Sequence, residues 1–182
     1  MIAFITGGAR SGKSELAEQL ALEWRTQASY EAPTVLYIAT AVRTDEEMEE
    51  RIHAHLERRG SVWETCELRA ASDLVSVLQR LQPQQTIMLD CMTIWLSRML
   101  FEERIEPSDI DACWSECLQL IHERQLAAVI VSNDLNEGMP AGDAWTSLYI
   151  YWLEQLHRQT IAHADLAIQA VAGMPLVWKG EL

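Results

Sequence analysis

The stretch that decides the fold is Gly7–Ser14, which reads Gly7-Gly8-Ala9-Arg10-Ser11-Gly12-Lys13-Ser14. It follows the apolar run Ile2–Thr6, which predicts a strand, and it opens the amphipathic stretch 12–26, which predicts a helix. Glycines let backbone N–H groups turn inward around phosphate oxygens, and the start of a helix adds partial positive charge. We therefore expect this loop to bind a nucleoside triphosphate, with Lys13 as a catalytic point charge and Ser14 as a ligand of Mg²⁺.

Short apolar runs alternate with longer amphipathic stretches, a pattern typical of a parallel sheet that is covered on both faces. The predicted strands are Ile2–Thr6, Thr34–Ala39, Thr86–Asp90, Ala127–Ser132, Leu166–Val171 and a last one near Leu176–Lys179. The predicted helices are 12–26, 45–59, 71–81, 92–103, 109–124 and 143–163. None of the breaks resembles a linker, so we predict one domain over residues 1–182. The predicted fold is α/β of the P-loop NTPase type (RecA-like), with a mostly parallel sheet and helices on both faces.

Composition and charge exclude several classes of partner. The 14 basic residues stand against 27 acidic ones, a formal net charge of -13, so long-range electrostatics should repel nucleic acid and anionic membranes. No run of 18 apolar residues predicts a membrane span. The four cysteines form no paired C-x-x-C elements, and the chain starts without a basic leader, so we expect a reduced, cytoplasmic protein. An acidic protein of this kind can bind a polyphosphate only through a local phosphate-binding element.

Two strand ends carry further polar side chains. Asp90 closes the apolar run Ile87–Leu89, and ligands of such sheets sit at the carboxyl ends of the strands. We interpret Asp90 as a partner of Mg²⁺, while a cap on the helix that begins at Cys91 is the alternative. Asn133 and Asp134 follow the next predicted strand, and for them a functional role and a plain strand end stay equally open.

The helix predicted over 45–59 carries two histidines that point in nearly opposite directions. At about 100° per residue, His55 lies at the edge of an apolar face with Arg51 and Arg58 beside it, whereas His53 faces away. Cationic neighbours would attract a phosphoryl group, and a half-buried imidazole stays neutral more easily. His55 is therefore either a nucleophile that forms a phosphoramidate or a partly buried helix histidine.

Three segments carry a family resemblance, namely Gly7–Ser14 (GGARSGKS), Tyr37–Glu67 (YIATAVRTDEEMEERIHAHLERRGSVWETCE) and Met88–Leu100 (MLDCMTIWLSRML). Together they resemble the bifunctional adenosylcobinamide kinase / adenosylcobinamide-phosphate guanylyltransferase family of cobalamin assembly. Within the second segment, the family pattern Y-I-A-T-A, D-x-E-M, R-I-x-x-H and W-x-T-x-E is matched at Tyr37–Ala41, Asp45–Met48, Arg51–His55 and Trp63–Glu67. The resemblance extends over nearly the whole chain.

The resemblance implies two reactions. Adenosylcobinamide is first phosphorylated with ATP or GTP, and GMP is then transferred from GTP to that phosphate through a covalent guanylyl-histidine. The family's nucleophile falls on His55, with Lys13 and Ser14 at the triphosphate and Mg²⁺, and Asp90 at the metal. The nucleotide-binding residues so implied are Gly7–Ser14 with Arg51, Arg58, Glu67 and Asp90. Family members also imply a homo-oligomer, namely a trimer.

The C-terminal third departs from the family pattern. Asn133–Pro140 is one residue shorter than N-E-V-G-x-G-I-V-P and lacks its first glycine, and the charged R-x-F-R-D pattern falls on Ser147–Tyr151. A member that keeps only one activity, and a non-catalytic GTP-binding subunit, are therefore alternative interpretations. The aromatic group Trp145, Tyr149, Tyr151 and Trp152 could cover a corrinoid or form a subunit contact.

Overall fold

A computed structural model describes residues 1–27, 34–41, 60–135 and 143–182. Within these ranges, seven strands form one sheet in the order β3-β2-β4-β5-β1-β6-β7. The strands are β1 Ile2–Gly7, β2 Val35–Ala39, β3 Trp63–Glu67, β4 Thr86–Asp90, β5 Ala127–Val131, β6 Leu166–Val171 and β7 Met174–Lys179. All neighbouring strands run parallel except β7, which pairs antiparallel with β6. That residues 1–182 form a single domain stays a prediction.

Five α-helices connect the strands in the described part of the chain. They are α1 Lys13–Gln27, α2 Leu74–Arg80, α3 Met92–Ser97, α4 Pro107–Glu123 and α5 Ala144–His163. The helix predicted over 92–103 is in fact α3 followed by a π-helical turn, Arg98–Glu102. Helix α4 begins two residues earlier than predicted, because Pro107 fits the first position of a helix, where no N–H is needed. The helix predicted over 45–59 lies outside the described residues.

Helices cover both faces of the sheet, as predicted. On one face, α1 buries Ala17, Leu20, Ala21 and Trp24, whose spacing puts them on one stripe of the helix. They pack against alternate residues of the central strands, such as Ile5 and Val129. On the other face, α2, α3, α4 and α5 build a second core, in which the rings of Trp95 and Trp114 lie 5.2 Å apart. The two cores confirm the α/β fold of P-loop NTPase type.

Strand β3 was not predicted, and its place at the edge of the sheet explains why. Its sequence is Trp63-Glu64-Thr65-Cys66-Glu67, of which only Trp63 and Cys66 are half-buried. An edge strand has one neighbour and much solvent contact, so it needs no apolar run. Strand β7 is the opposite edge, is exposed at every residue, and begins at Met174, two residues before the predicted start. No helix among the described residues is long and apolar enough to cross a membrane.

Candidate functional site

The phosphate loop joins β1 to α1, in the strand–loop–helix arrangement that the sequence predicts. Gly7 ends β1 and Lys13 begins α1, which puts Ser14 in the first helical turn. The ammonium group of Lys13 folds back over the loop, where its Nζ donates to the carbonyl oxygen of Gly8 at 3.1 Å. The partial positive charge of the helix start and the lysine charge therefore meet at one loop.

Two glycines of the loop lie where a side chain would collide. A Cβ on Gly7 would stand 2.5 Å from the carbonyl oxygen of Ala170, and one on Gly12 would stand 3.2 Å from the Cα of Gly173. Gly12 also has a φ of 87°, which L side chains rarely adopt. The N–H of Gly173 donates to the carbonyl oxygen of Ser11 at 2.9 Å. The turn between β6 and β7 therefore supports the phosphate loop from behind.

The carboxyl ends of the strands bring Asp90 to the same edge of the sheet as the loop. The strand registers align Glu67 of β3, Ala39 of β2, Asp90 of β4 and Val131 of β5. Val131 in turn lies beside Ile5 of β1. One strand thus separates Asp90 from β1, and another separates it from Glu67, a backbone distance of about 10 Å in each direction. The exposed Glu67 lies at this edge as well.

The side chain of Asp90 is oriented by a neighbour on β2. The hydroxyl of Tyr37 donates to Oδ2 of Asp90 at 3.1 Å. The capping position of α3 belongs to Cys91, one residue beyond Asp90, so the helix cap is not the role of this aspartate. Burial and the charge of Asp90 raise the pKa of the Cys91 thiol, whereas Lys13 opposes that rise. Lys13 and Asp90 therefore both lie within electrostatic reach of one buried thiol.

The oxygen donors at this edge suit Mg²⁺. In phosphate sites, Mg²⁺ is held by one or two protein oxygens while the substrate phosphates and water supply the remaining ligands. The hydroxyl of Ser14 and the carboxylate of Asp90 are donors of this type. Residues 1–27, 34–41, 60–135 and 143–182 contain no group of three or more His, Cys, Asp or Glu that could enclose a metal ion by itself. The magnesium site stays a prediction, with donors that fit it.

Asn133 and Asp134 lie at the same edge of the sheet as the phosphate loop and Asp90. The N–H of Asp134 donates to the carbonyl oxygen of Gly7 at 3.1 Å, which ties the end of β5 to the start of the phosphate loop. The side-chain amide of Asn133 donates to the hydroxyl of Thr93 at 2.8 Å. That hydroxyl in turn lies 2.9 Å from the sulfur of Cys91. Hydrogen bonds through Thr93 therefore connect Cys91, which follows Asp90, with Asn133, which precedes Asp134.

An open cleft of about 520 Å³ lies at the ends of β2, β4 and β5. Its lining includes Thr93, Arg98, Phe101, Asn133, Trp145 and Tyr149. The rings of Phe101 and Tyr149 are 6.0 Å apart, and the Tyr149 hydroxyl donates to the carbonyl oxygen of Thr93 at 2.7 Å. Burial raises the pKa of Tyr149 well above its ordinary value, so the phenol stays a hydrogen-bond donor. The cleft thus combines an aromatic wall with a few fixed polar groups.

Sequence reasoning missed Arg98, a buried cation of this edge. Only 4% of the residue is exposed, and its guanidinium donates to the carbonyl oxygens of Thr40, Leu68 and Arg69 at 2.8, 3.1 and 2.6 Å. Its Nε also lies 3.2 Å from the carboxylate of Glu102. Arg98 therefore fastens the ends of β2 and β3 to the π-helical turn. A single arginine in an amphipathic stretch gives no sequence signal for such a role.

The structure brings together part of the site that the sequence predicts. Lys13, Ser14 and Asp90 lie around the phosphate loop, with Glu67 farther along the same edge. His55, Arg51 and Arg58 lie outside the described residues, so their roles stay predictions.

Comparisons with known proteins identify the family of this chain. The family described as CobU, cobinamide kinase / cobinamide phosphate guanyltransferase, matches residues 3–178. The bifunctional adenosylcobalamin biosynthesis protein CobP of Pseudomonas aeruginosa is 34% identical over 180 residues, which cover 97% of this chain and 96% of that protein. The protein CobU of Salmonella typhimurium is 40% identical over 101 residues, 56% of this chain and 51% of the relative. The CobU of Escherichia coli is 35% identical over 102 residues, with the same shares. The chain therefore belongs to the cobinamide kinase / cobinamide phosphate guanyltransferase family.

Proposed function

We propose that this protein phosphorylates adenosylcobinamide with a nucleoside triphosphate and then transfers GMP from GTP to the new phosphate, which gives adenosylcobinamide-GDP. The observation that carries the proposal is the phosphate loop, with Lys13 folded over it and Asp90 at the same sheet edge, in a chain that the family matches over residues 3–178.

In the kinase step, the hydroxyl oxygen of the acceptor attacks the γ-phosphorus, the bond from that phosphorus to the bridging oxygen breaks, and a nucleoside diphosphate leaves. The hydroxyl proton passes to solvent or a nearby base. Lys13 and the backbone N–H groups of the loop neutralise charge on the phosphoryl oxygens, and such chemistry depends mainly on positioning and charge. Ser14 and Asp90 would hold Mg²⁺, which supplies further charge neutralisation when bound.

In the second step, we assign the nucleophile to His55. Its imidazole nitrogen attacks the α-phosphorus of GTP, an N–P bond forms, and pyrophosphate leaves. An oxygen of adenosylcobinamide phosphate then attacks the same phosphorus, the N–P bond breaks, and the histidine is restored. Arg51 and Arg58, which the helical pattern places beside His55, would neutralise the phosphoryl charge. The exposed Glu67 would contribute to nucleotide binding, as the family resemblance implies.

We also propose a homo-oligomer, namely the trimer that the family resemblance implies, acting in the cytoplasm where nucleoside triphosphates are abundant. Support comes from β7, where Met174 and Trp178 are each 70% exposed. Large exposed apolar side chains on a sheet edge favour self-association. The molar mass in solution, measured by light scattering, tests this proposal.

The kinase step is tested with the chain's two lysines. Purified protein is incubated with adenosylcobinamide, Mg²⁺ and ATP or GTP, and the products are identified by mass spectrometry. We expect Lys13→Ala to lower phosphorylation by about 100-fold or more, because a charge on the transferred group is lost. Lys179→Ala is the matched control, since that lysine lies on β7 and donates to the carbonyl oxygen of Ile161.

The products of the wild type decide between the alternatives. If adenosylcobinamide phosphate forms without the GDP adduct, the protein is a kinase that has lost guanylyl transfer. If the GDP adduct forms only when adenosylcobinamide phosphate is supplied with GTP, the protein is a guanylyltransferase that has lost the kinase step. No product from either acceptor, with GTP still bound, would contradict the proposed enzyme and favour a nucleotide-binding subunit.

A further inference from the structure

We propose that the cleft beside the phosphate loop is the acceptor site, and that Trp145 packs against the apolar ring system of the corrinoid there. The inference rests on the proposed function, because it assigns a place to that function's second substrate. The acceptor is a large, mostly apolar macrocycle that carries neutral amide side chains. A site for it needs aromatic surface and hydrogen-bonding groups more than it needs charge.

The cleft lies beside the triphosphate site without overlapping it. Of the described residues that line it, none belongs to Gly7–Ser14. Its inner wall contains Thr93 and Asn133, which are hydrogen-bonded to each other at 2.8 Å. Thr93 is three residues beyond Asp90, and the residue after Asn133 bonds to Gly7. An acceptor in the cleft therefore approaches the end of the sheet at which the γ-phosphate would stand.

The rim of the cleft carries apolar surface that packing within the described chain leaves uncovered. Trp145 is 71% exposed, and Phe101 and Leu135 are also exposed at the cleft. Trp145 lies in the first turn of α5, which Asp143 caps by accepting from the N–H of Thr146 at 2.9 Å. The aromatic ring is thus presented from a fixed helix start. Rings of this size give a large contact area against a flat apolar partner.

The charges of the cleft argue against a second polyphosphate as its occupant. Of the described lining residues, Arg98 and Glu102 are the charged ones, and they form an ion pair at 3.2 Å. The guanidinium also donates to three backbone carbonyl oxygens, which use most of its N–H groups. Little net positive charge is left for phosphates. Neutral groups such as the Asn133 amide and the Thr93 hydroxyl suit the amides of a corrinoid.

The helix that forms the outer wall holds an aromatic ring at the cleft, although it lacks the charges of the family pattern. The charged R-x-F-R-D pattern falls on Ser147–Tyr151, and Tyr149 of this stretch lines the cleft. Its hydroxyl is fixed on the carbonyl oxygen of Thr93, so its ring is held toward the cleft. Tyr149 falls on the aromatic position of that pattern, so the wall keeps an aromatic ring there, while the charged positions of the pattern fall on residues outside the lining.

The test is equilibrium dialysis of adenosylcobinamide, without nucleotide, against wild type, Trp145→Ala and Trp178→Ala. The two tryptophans are matched, since they are 71% and 70% exposed, but Trp178 lies on β7 outside the cleft. We expect Trp145→Ala to raise the Kd for adenosylcobinamide about tenfold, with the Kd for GTP within twofold of wild type. Trp178→Ala should change neither constant. In turnover, the KM for adenosylcobinamide should rise in Trp145→Ala while the KM for the nucleotide stays unchanged.

Three outcomes overturn the inference. An unchanged Kd for adenosylcobinamide in Trp145→Ala shows that the ring does not contact the acceptor. A loss of GTP affinity instead assigns the cleft to the guanine base. A change of molar mass with unchanged acceptor binding assigns Trp145 to a subunit contact. A wild type that does not bind adenosylcobinamide at all would overturn the proposed function too, whereas the three preceding outcomes leave that function standing.

Discussion

At the scale of single residues, a glycine without room for a side chain and a tyrosine hydroxyl position the parts of the phosphate site. Gly12 has a left-handed backbone conformation, and a Cβ there would stand 3.2 Å from the Cα of Gly173. A larger residue would therefore be strained and would also lack space. Asp90 is held from the side by the Tyr37 hydroxyl at 3.1 Å. The loop and the carboxylate are thus both positioned by residues outside the motif itself.

The first prediction at this scale concerns Gly12. We expect Gly12→Ala to weaken ATP binding at least tenfold, because the added Cβ pushes the loop away from the β6–β7 turn, and to lower the free energy of unfolding by about 1 to 2 kcal/mol. Gly60→Ala is the control, since its φ of 61° imposes similar strain but no heavy atom of the described residues lies within 4 Å of the added Cβ. Calorimetric titration with ATP measures the difference. Equal losses of affinity in both variants would contradict the steric argument.

The second residue-scale prediction concerns Tyr37. Removing its hydroxyl in Tyr37→Phe takes about 1 kcal/mol of hydrogen bonding from Asp90, so the carboxylate is less well oriented. We expect the Mg²⁺ concentration for half-maximal kinase activity to rise about three- to tenfold, and the free energy of unfolding to change little. Tyr151→Phe, at an exposed position of α5, should leave the Mg²⁺ dependence unchanged. A Tyr37→Phe enzyme with the wild-type dependence would show that Asp90 does not act at the metal.

At the scale of secondary-structure elements, Arg98 connects the π-helical turn with the ends of two strands that are distant in the chain. It begins the π-helical turn after α3 and donates to backbone carbonyl oxygens at the ends of β2 and β3. In the sequence, the segment that carries His55 follows β2. An arginine with so many donors can satisfy several buried carbonyl groups at once.

We expect Arg98→Met to lower the free energy of unfolding by about 3 kcal/mol or more, because three buried carbonyl oxygens lose their charged donor. Arg98→Lys should recover only part of this loss, since one ammonium cannot reproduce the planar fork. Arg80→Met, at an exposed position at the end of α2, should cost less than about 0.5 kcal/mol. Urea unfolding of the three variants measures the values. A cost for Arg98→Met as small as that of Arg80→Met would refute the role of Arg98.

Particular elements show what the sequence could predict. The strands Thr86–Asp90 and Leu166–Val171 were predicted with their observed bounds, because a strand that is covered on both faces is mostly apolar. Strand β3 was missed, since an edge strand carries no such signature. Lys13, Ser14 and Asp90 could be found because their spacing relative to strands is a motif. The sequence singled out Asn133 and the aromatic group that includes Tyr149 separately, but not their meeting with Thr93 in one wall, because those contacts form only through tertiary packing.

At the scale of the molecule, cationic charge is sparse, and part of it falls at positions that the sequence assigns to phosphate chemistry. Among 14 basic residues against 27 acidic ones, Arg10 and Lys13 fall in the phosphate loop, and Arg51 and Arg58 fall beside His55 in the sequence. Helix α5 is also tied to the strands near the site. His157 of α5 forms a 2.7 Å hydrogen bond with Ser132, just after β5, and its ring packs 4.9 Å from that of Phe4 in β1.

The burial of His157 predicts a pH dependence of stability. Desolvation lowers the pKa of His157 from 6.5 to about 4, although the nearby Asp134 opposes the shift. The unfolded chain therefore binds a proton at a pH at which the folded protein does not, so this contribution is complete above pH 6.5 and is lost as the pH falls toward about 4. The loss is on the order of 2 to 3 kcal/mol.

We expect the variant His157→Gln to lose stability less steeply than wild type between pH 6.5 and about 4, when both are unfolded with urea at a series of pH values. His122→Gln, at an exposed position of α4, should follow the wild-type slope. Parallel slopes for wild type and His157→Gln would mean that His157 is not held neutral in the folded protein.

The measurement that tests the central claim most directly is covalent labelling with GTP that carries its label at the α-phosphate. We predict acid-labile, alkali-stable label on the wild type and on His53→Ala, and none on His55→Ala. His53 is the matched control, because it lies two residues away in the same predicted helix and points in nearly the opposite direction. Label that persists in His55→Ala, or a wild type that binds GTP without becoming labelled, would contradict the account.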